Sequence, residues 1–169
     1  MNRLPTPLPG VLMFELDAFH DERGVFLETY RRARYDDLPE LVQDNLSSSS
    51  TGTLRGLHYQ RRNPQGKLVT VTRGEIYDVA VELRTGRWFG THLSATNRRQ
   101  LWIPPGFAHG FQALSDADVL YKCSAYYDRE DERAIRWDDP TLAITWPLID
   151  RPKLSPRDAA APSWHEAER

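Results

Sequence analysis

The stretch Glu75-Ile76-Tyr77-Asp78-Val79-Ala80-Val81-Glu82-Leu83 places Tyr77, Val79, Val81 and Leu83 on one side of an extended chain and Ile76, Asp78, Ala80 and Glu82 on the other. Alternation with a period of two, carried largely by β-branched and aromatic residues, marks a strand; a helix repeats its apolar residues every three or four. Shorter segments of the same kind recur at residues 25–30, 43–49, 53–60, 67–72, 99–103, 111–114 and 119–127. Turn-forming clusters separate them: Asn63-Pro64-Gln65-Gly66, Arg73-Gly74, Arg84-Thr85-Gly86, Pro104-Pro105-Gly106 and Ser115-Asp116. Gly, Pro, Asn and Asp supply backbone conformations there that a strand does not use. Many short strands at this spacing predict an all-β jelly-roll barrel of two antiparallel sheets. Helix is expected only in short pieces, at residues 31–38 before Pro39 and from Asp158 onward.

A chain of 169 residues, 40% hydrophobic, can bury one core and is too short for two ordinary domains, so residues 1–169 are read as one domain. The 22 Lys and Arg against 24 Asp and Glu create no broad positive field for nucleic acid or an anionic membrane. An anionic ligand must be met by local cations. Residues 1–10 contain three prolines and no apolar core of signal-peptide length, and nowhere do about 18 apolar residues run together. Cys123 is the only cysteine, which excludes an internal disulfide and a cysteine-only zinc site and points to the cytoplasm, with the thiol buried as a small apolar group.

In Leu54-Arg55-Gly56-Leu57-His58-Tyr59-Gln60, strand parity puts Leu54, Gly56, His58 and Gln60 on one face and Arg55, Leu57 and Tyr59 on the other. The same rule groups Lys67 with Val69 and Val71, and Tyr121 with Val119 and Cys123. A histidine and a lysine among apolar neighbours suggest a pocket inside the barrel. A second histidine lies in Ile103-Pro104-Pro105-Gly106-Phe107-Ala108-His109-Gly110-Phe111, which resembles the second conserved stretch of the cupin superfamily and makes the expected barrel cupin-like. Cupin metal sites take two histidines one residue apart and a glutamate from the first stretch. Here Gln60 stands where the second histidine would be, and Glu75 lies well beyond Lys67. His58 and His109 without a nearby carboxylate are too few ligands for zinc or iron, and an adjacent ammonium repels a cation, so no metal is expected.

Gln43-Asp44-Asn45, Arg55-Gly56-Leu57-His58, Gln65-Gly66-Lys67, Asp78-Val79-Ala80-Val81, Leu101-Trp102-Ile103-Pro104, Gly106-Phe107-Ala108-His109-Gly110-Phe111 and Leu154-Ser155-Pro156-Arg157-Asp158 together resemble the dTDP-4-dehydrorhamnose 3,5-epimerase family. The resemblance runs from about Pro9 to Pro162. It implies a cofactor-free, cupin-type homodimer that acts on dTDP-4-dehydro-6-deoxyglucose, inverting C-3 and C-5 beside the C-4 ketone.

Residue by residue, the resemblance makes His58 the base, oriented by Asp158. An ordinary imidazole, with a pKa near ~6.5, is largely neutral at physiological pH and can take a proton. Lys67 would stabilise the C-4 enolate, and Tyr121 would return a proton to the opposite face. Tyr127 would line the sugar pocket, with Gln60 beside it, and His109 would hydrogen-bond the sugar or the lysine. Arg55 matches a diphosphate-binding arginine, whose fork suits phosphate oxygens, and Gln43 and Asn45 match nucleotide contacts. Arg23, Phe26 and Glu28 lie in a segment that reaches the partner subunit's site in the family, hence a homodimer with an exchanged amino-terminal strand. Leu46 departs from the family, where a polar residue is frequent, and the tail after Asp158 is short. Three other readings use the same residues: a single-centre epimerase, a metal-dependent cupin, and a non-catalytic sugar-nucleotide binding module.

Overall fold

The computed structural model describes residues 1–147 and 151–167. In chain order its strands are β1 (Asn2–Leu4), β2 (Leu12–Glu15), β3 (Ala18–Asp21), β4 (Gly24–Leu27), β5 (Gln43–Ser49), β6 (Leu54–Gln60) and β7 (Lys67–Arg73). There follow β8 (Glu75–Glu82), β9 (Trp88–Ser94), β10 (Arg99–Ile103), β11 (Phe107–Ala113), β12 (Ala117–Cys123) and β13 (Glu132–Ala134), then two single-turn helices, α1 (Pro156–Ala159) and α2 (Trp164–Ala167). One antiparallel sheet runs β1-β2-β10-β7-β12-β5, a second runs β13-β6-β11-β8-β9, and β3-β4 form a separate hairpin. From β5 onward the chain crosses between sheets at every step but one, β8 to β9, the alternation of a jelly roll.

Both faces of β8 carry buried apolar residues because both are covered. Ile76 and Ala80 point between the sheets, where they meet Val69 and Val71 of β7, Leu101 and Ile103 of β10 and Val119 of β12. Val79 and Val81 point outward, under Ile135, Leu142 and Trp146 of the carboxy-terminal segment. A third cluster, Phe14, Tyr35, Leu38, Leu68 and Trp102, closes the back of the first sheet. Leu101 is wholly buried, and its truncation to Ala would cost about 2–5 kcal/mol.

The expected strands at residues 43–49 and 99–103 are observed with those bounds, and those at 53–60, 67–72 and 75–83 are within one residue. Cys123 is buried, as expected. Other boundaries differ. The strand placed at 111–114 begins at Phe107, because β11 pairs with β8 from Phe107↔Glu82 to Ala113↔Ile76; Gly110 belongs inside it. The strand placed at 119–127 runs from Ala117 to Cys123, and the one at 25–30 is Gly24–Leu27. Residues 31–38 make only a 3₁₀ turn, Arg32–Arg34: the Arg32 guanidinium takes the carbonyls of Tyr35 and Leu38, while those two side chains turn into the core. β1, β2, β3, β9 and β13 escaped the sequence reading.

The parity expected along β6 is overturned. His109 pairs with His58 but Phe111 pairs with Arg55, so Gly56 and Leu57 of β6 oppose the single residue Gly110 of β11, a β-bulge. Beyond the bulge the faces exchange: Leu54 joins Leu57 and Tyr59 in the outer cluster, and Arg55 joins His58 on the inner wall. Gly56 makes this possible. Its φ is +126°, and a Cβ there would lie 2.5 Å from the Gly110 Cα, so only glycine fits.

Candidate active site

One end of the barrel opens into a cavity of about 350 Å³ lined by residues of both sheets. His58 of β6 and His109 of β11 come from one sheet, Lys67 of β7 and Tyr121 of β12 from the other. A flat ligand between them would meet an imidazole on one side and a phenol on the other. Arg55, Gln43 and Asn45 line the same cavity, as do Tyr127 and four residues the sequence reading passed over: Ser47, Gln65, Phe111 and Glu132.

His58 Nε2 lies 2.5 Å from Asp158 Oδ1. Asp158 is buried on α1, where the Ser155 Oγ caps the turn by accepting from the Asp158 N–H at 3.0 Å. Burial alone raises a carboxyl pKa, but hydrogen bonds with His58, Ser155 and the Gly56 backbone outweigh it and hold Asp158 below its usual value. An ionised Asp158 requires Nε2 to carry the ring proton, which leaves Nδ1 as the basic atom.

His109 is the directly opposite cross-strand neighbour of His58. Its Nε2 lies 2.7 Å from Oδ1 of the fully buried Asp78. Burial depresses its pKa against the attraction of Asp78, and Lys67 and His58 depress it further. Lys67 has no hydrogen bond or ion pair among the described residues; burial pulls its pKa down, opposed by Cys123, Glu132 and Asp78. Burial pushes the Tyr121 phenol up, which keeps it protonated near neutral pH.

The rest of the wall is tied together. Arg55 donates to the Ser49 hydroxyl at 3.0 Å and the Ser48 carbonyl at 3.2 Å. Gln43 Nε2 donates to Asn45 Oδ1 at 2.9 Å, and Gln43 Oε1 accepts from the Tyr127 N–H at 2.9 Å. The Tyr127 hydroxyl donates to Glu132 at 2.9 Å, and Arg157 clamps the same carboxylate. Gln60 lies outside the lining and braces a loop instead, accepting from the Asp128 N–H at 3.1 Å. Arg23, Phe26 and Glu28 are also outside. Arg23 is 85% exposed and paired with Asp21 at 2.6 Å, Phe26 is 69% exposed, and Glu28 pairs with Arg31 and Arg34 at 3.1 Å. Among the described residues no three His, Cys, Asp or Glu side chains converge as metal ligands.

Asp78 could have been suspected from the sequence, as an acid sharing a face with Ile76 and Ala80. Glu132 could not, because Asp131-Glu132-Arg133 reads as an ordinary charged surface run.

The family model described as dTDP-4-dehydrorhamnose 3,5-epimerase matches residues 5–166. The chain is 49% identical to an enzyme of that name from Neisseria gonorrhoeae, over 100% of this chain and 54% of the relative, so it spans about half that protein's length. It is 48% identical to one from Pseudomonas aeruginosa, covering 95% of this chain and 94% of the relative. The crystal structure of a dTDP-6-deoxy-D-glucose-3,5-epimerase from Legionella pneumophila, in complex with dTDP-4-keto-L-rhamnose, superposes with a TM-score of 0.94 at 47% identity, covering 97% of this chain and 93% of that one.

Proposed function

The chain belongs to the dTDP-4-dehydrorhamnose 3,5-epimerase family, and from that premise we propose that it is a one-domain isomerase converting dTDP-4-dehydro-6-deoxy-D-glucose to dTDP-4-dehydro-L-rhamnose. The observation that carries this reading is the His58–Asp158 pair on one wall of a cavity whose facing sheet supplies Tyr121 and Lys67.

The C–H bonds at C-3 and C-5 are acidified by the C-4 ketone. His58 Nδ1 removes the proton from one face, and Asp158 stabilises the imidazolium that forms. The negative charge moves onto the C-4 oxygen, where the Lys67 ammonium meets it; a charge already in place costs no reorganisation at the transition state. Tyr121 then protonates the carbon from the opposite face, inverting it. After each inversion His58 must lose a proton and Tyr121 regain one before the second centre reacts. Arg55 takes the diphosphate, Gln43, Asn45 and Tyr127 the nucleotide and sugar, and His109 the sugar or the lysine.

Arg23, Phe26 and Glu28 serve a second subunit's cavity in this reading. The hairpin that carries them exposes Phe19, Val25 and Phe26, an apolar surface that an exchanged amino-terminal segment in a homodimer would cover. A single free, buried Cys123 suits the reducing cytoplasm; among the described residues no helix is long and apolar enough to cross a membrane.

Incubation with dTDP-4-dehydro-6-deoxyglucose in deuterium oxide, followed by NMR, tests the proposal. Label at C-3 and C-5 with formation of the L-rhamno product is expected. Label at one carbon makes the enzyme a single-centre epimerase, and label at neither defeats the assignment. Tyr121→Phe should keep exchange while losing inversion; a variant that converts substrate normally removes Tyr121 as the acid.

A further inference from the structure

Asp78 has no part in the steps above, yet it is the most unusual group behind the cavity wall, fully buried and bonded to the His109 that lines it. Its carboxylate is fully buried on the inner face of β8, between Ile76 and Ala80. Oδ1 pairs with His109, and Oδ2 is buried with no hydrogen-bond partner among the described residues. A half-satisfied buried carboxylate is costly, and stability alone gives no reason to keep it.

The orientation of His109 supplies a reason. With Nε2 2.7 Å from a carboxylate oxygen, the ring proton sits on Nε2 and Nδ1 is bare. The ring therefore offers an acceptor to the cavity it lines. The group there in need of an acceptor is Lys67, three donors with no hydrogen bond or ion pair among the described residues. Resting on the epimerase reading, we propose that Asp78 is a positioning residue. It locks His109 in the Nε2–H tautomer, so that the bare Nδ1 faces the cavity as the acceptor to which the Lys67 ammonium turns one N–H when the sugar binds, leaving the others for the C-4 oxyanion. The opposite tautomer, or an imidazolium, would confront the ammonium with another donor; burial of His109 and the nearby Lys67 charge both disfavour the cation. Asp78 also adds one of the three attractions, with Cys123 and Glu132, that oppose loss of the Lys67 proton.

The tautomer can be read directly from ¹⁵N spectra of the imidazoles in the whole wild-type protein without substrate. His109 should show a protonated Nε2 and a bare Nδ1 near neutral pH; an Nδ1–H ring or an imidazolium overturns the proposal. Asp78→Asn should lower kcat about 10- to 100-fold with little change in KM, the loss expected when an imidazole is deprived of its orienting carboxylate. The basic limb of its pH profile should move to lower pH, because Lys67 keeps Glu132 and Cys123 but loses one anion while still facing the imidazoles of His58 and His109. Asp78→Asn combined with His109→Ala should be no slower than His109→Ala alone, since the carboxylate acts through the ring. Losses that multiply overturn the idea. If Asp78→Asn does not fold, the wild-type spectrum decides. Failure of the wild type to turn over a dTDP-sugar would sink the epimerase reading while leaving the tautomer measurement intact.

Discussion

His58 meets Asp158 at 2.5 Å and His109 meets Asp78 at 2.7 Å, each through Nε2, on strands where the two histidines are direct partners. The side chain of His58 is 26% exposed and that of His109 only 8%. Asp158 comes from a helix turn 100 residues away in sequence and shares its charge among a ring, a hydroxyl and a backbone N–H. Asp78 comes from the adjacent strand and has one oxygen orphaned. A base must pass through imidazolium, which needs access to solvent and a well-supported anion; a fixed acceptor must remain neutral, which burial enforces. The same two functional groups are set to different tasks by what surrounds them.

The sharpest test of that division is truncation. His58→Ala should abolish deuterium uptake at both carbons and lower kcat by about 10³-fold or more, whereas His109→Ala should slow exchange without abolishing it. Equal abolition by both would erase the distinction. Asp158→Asn should cost about 10²- to 10⁴-fold in kcat, because an amide can turn its NH₂ toward the ring and stabilise the wrong tautomer; that loss should exceed the one for Asp78→Asn in the same assay. Lys67→Met should lower kcat/KM about 10²- to 10³-fold. It should also raise Tm by a few degrees, since it removes a half-buried ammonium that has no partner among the described residues and each kcal/mol is worth about 2–4 °C in a chain of this size.

The smallest effect separates the pairs by pH. His109 has a folded pKa below the ordinary imidazole value of 6.5, so between the two values the unfolded chain binds more protons. Its contribution to stability is complete above 6.5 and is lost as pH falls toward the folded pKa, with a slope of at most about 1.4 kcal/mol per pH unit. The Asp158 pKa is lowered from 3.8, so its contribution persists to that pH and is lost only as pH falls through the folded value. Urea denaturation should show the upper step vanish in His109→Gln and the lower one persist.

The barrel was legible because residues 75–83 carry an unbroken two-residue alternation and clusters of Gly, Pro, Asn and Asp punctuate the short segments around them. Strands without that signature were missed: β9, Trp88-Phe89-Gly90-Thr91-His92-Leu93-Ser94, contains a glycine and little regular alternation, and β13 has only three residues. Of the residues named from sequence, His58, Lys67, Tyr121, Arg55, Gln43, Asn45, His109 and Tyr127 meet at one cavity and Asp158 stands directly behind it. Gln60 braces a loop, and Arg23 and Phe26, on the β3–β4 hairpin, do not line this cavity. Strand parity failed at β6 because a bulge is set by the fit of Gly56 against Gly110, a contact between strands that no local pattern encodes.

Local order along the chain, acting through backbone propensity and the two-residue period, determined that this protein is built of strands and which residue types were available for chemistry. Tertiary structure alone decided that Arg55 shares a wall with His58, that Glu132 enters the cavity, and that one histidine is left partly in solvent while its neighbour is sealed over Asp78. Those outcomes depend on burial and on partners tens of residues distant, and both exist only once the two sheets have closed on each other.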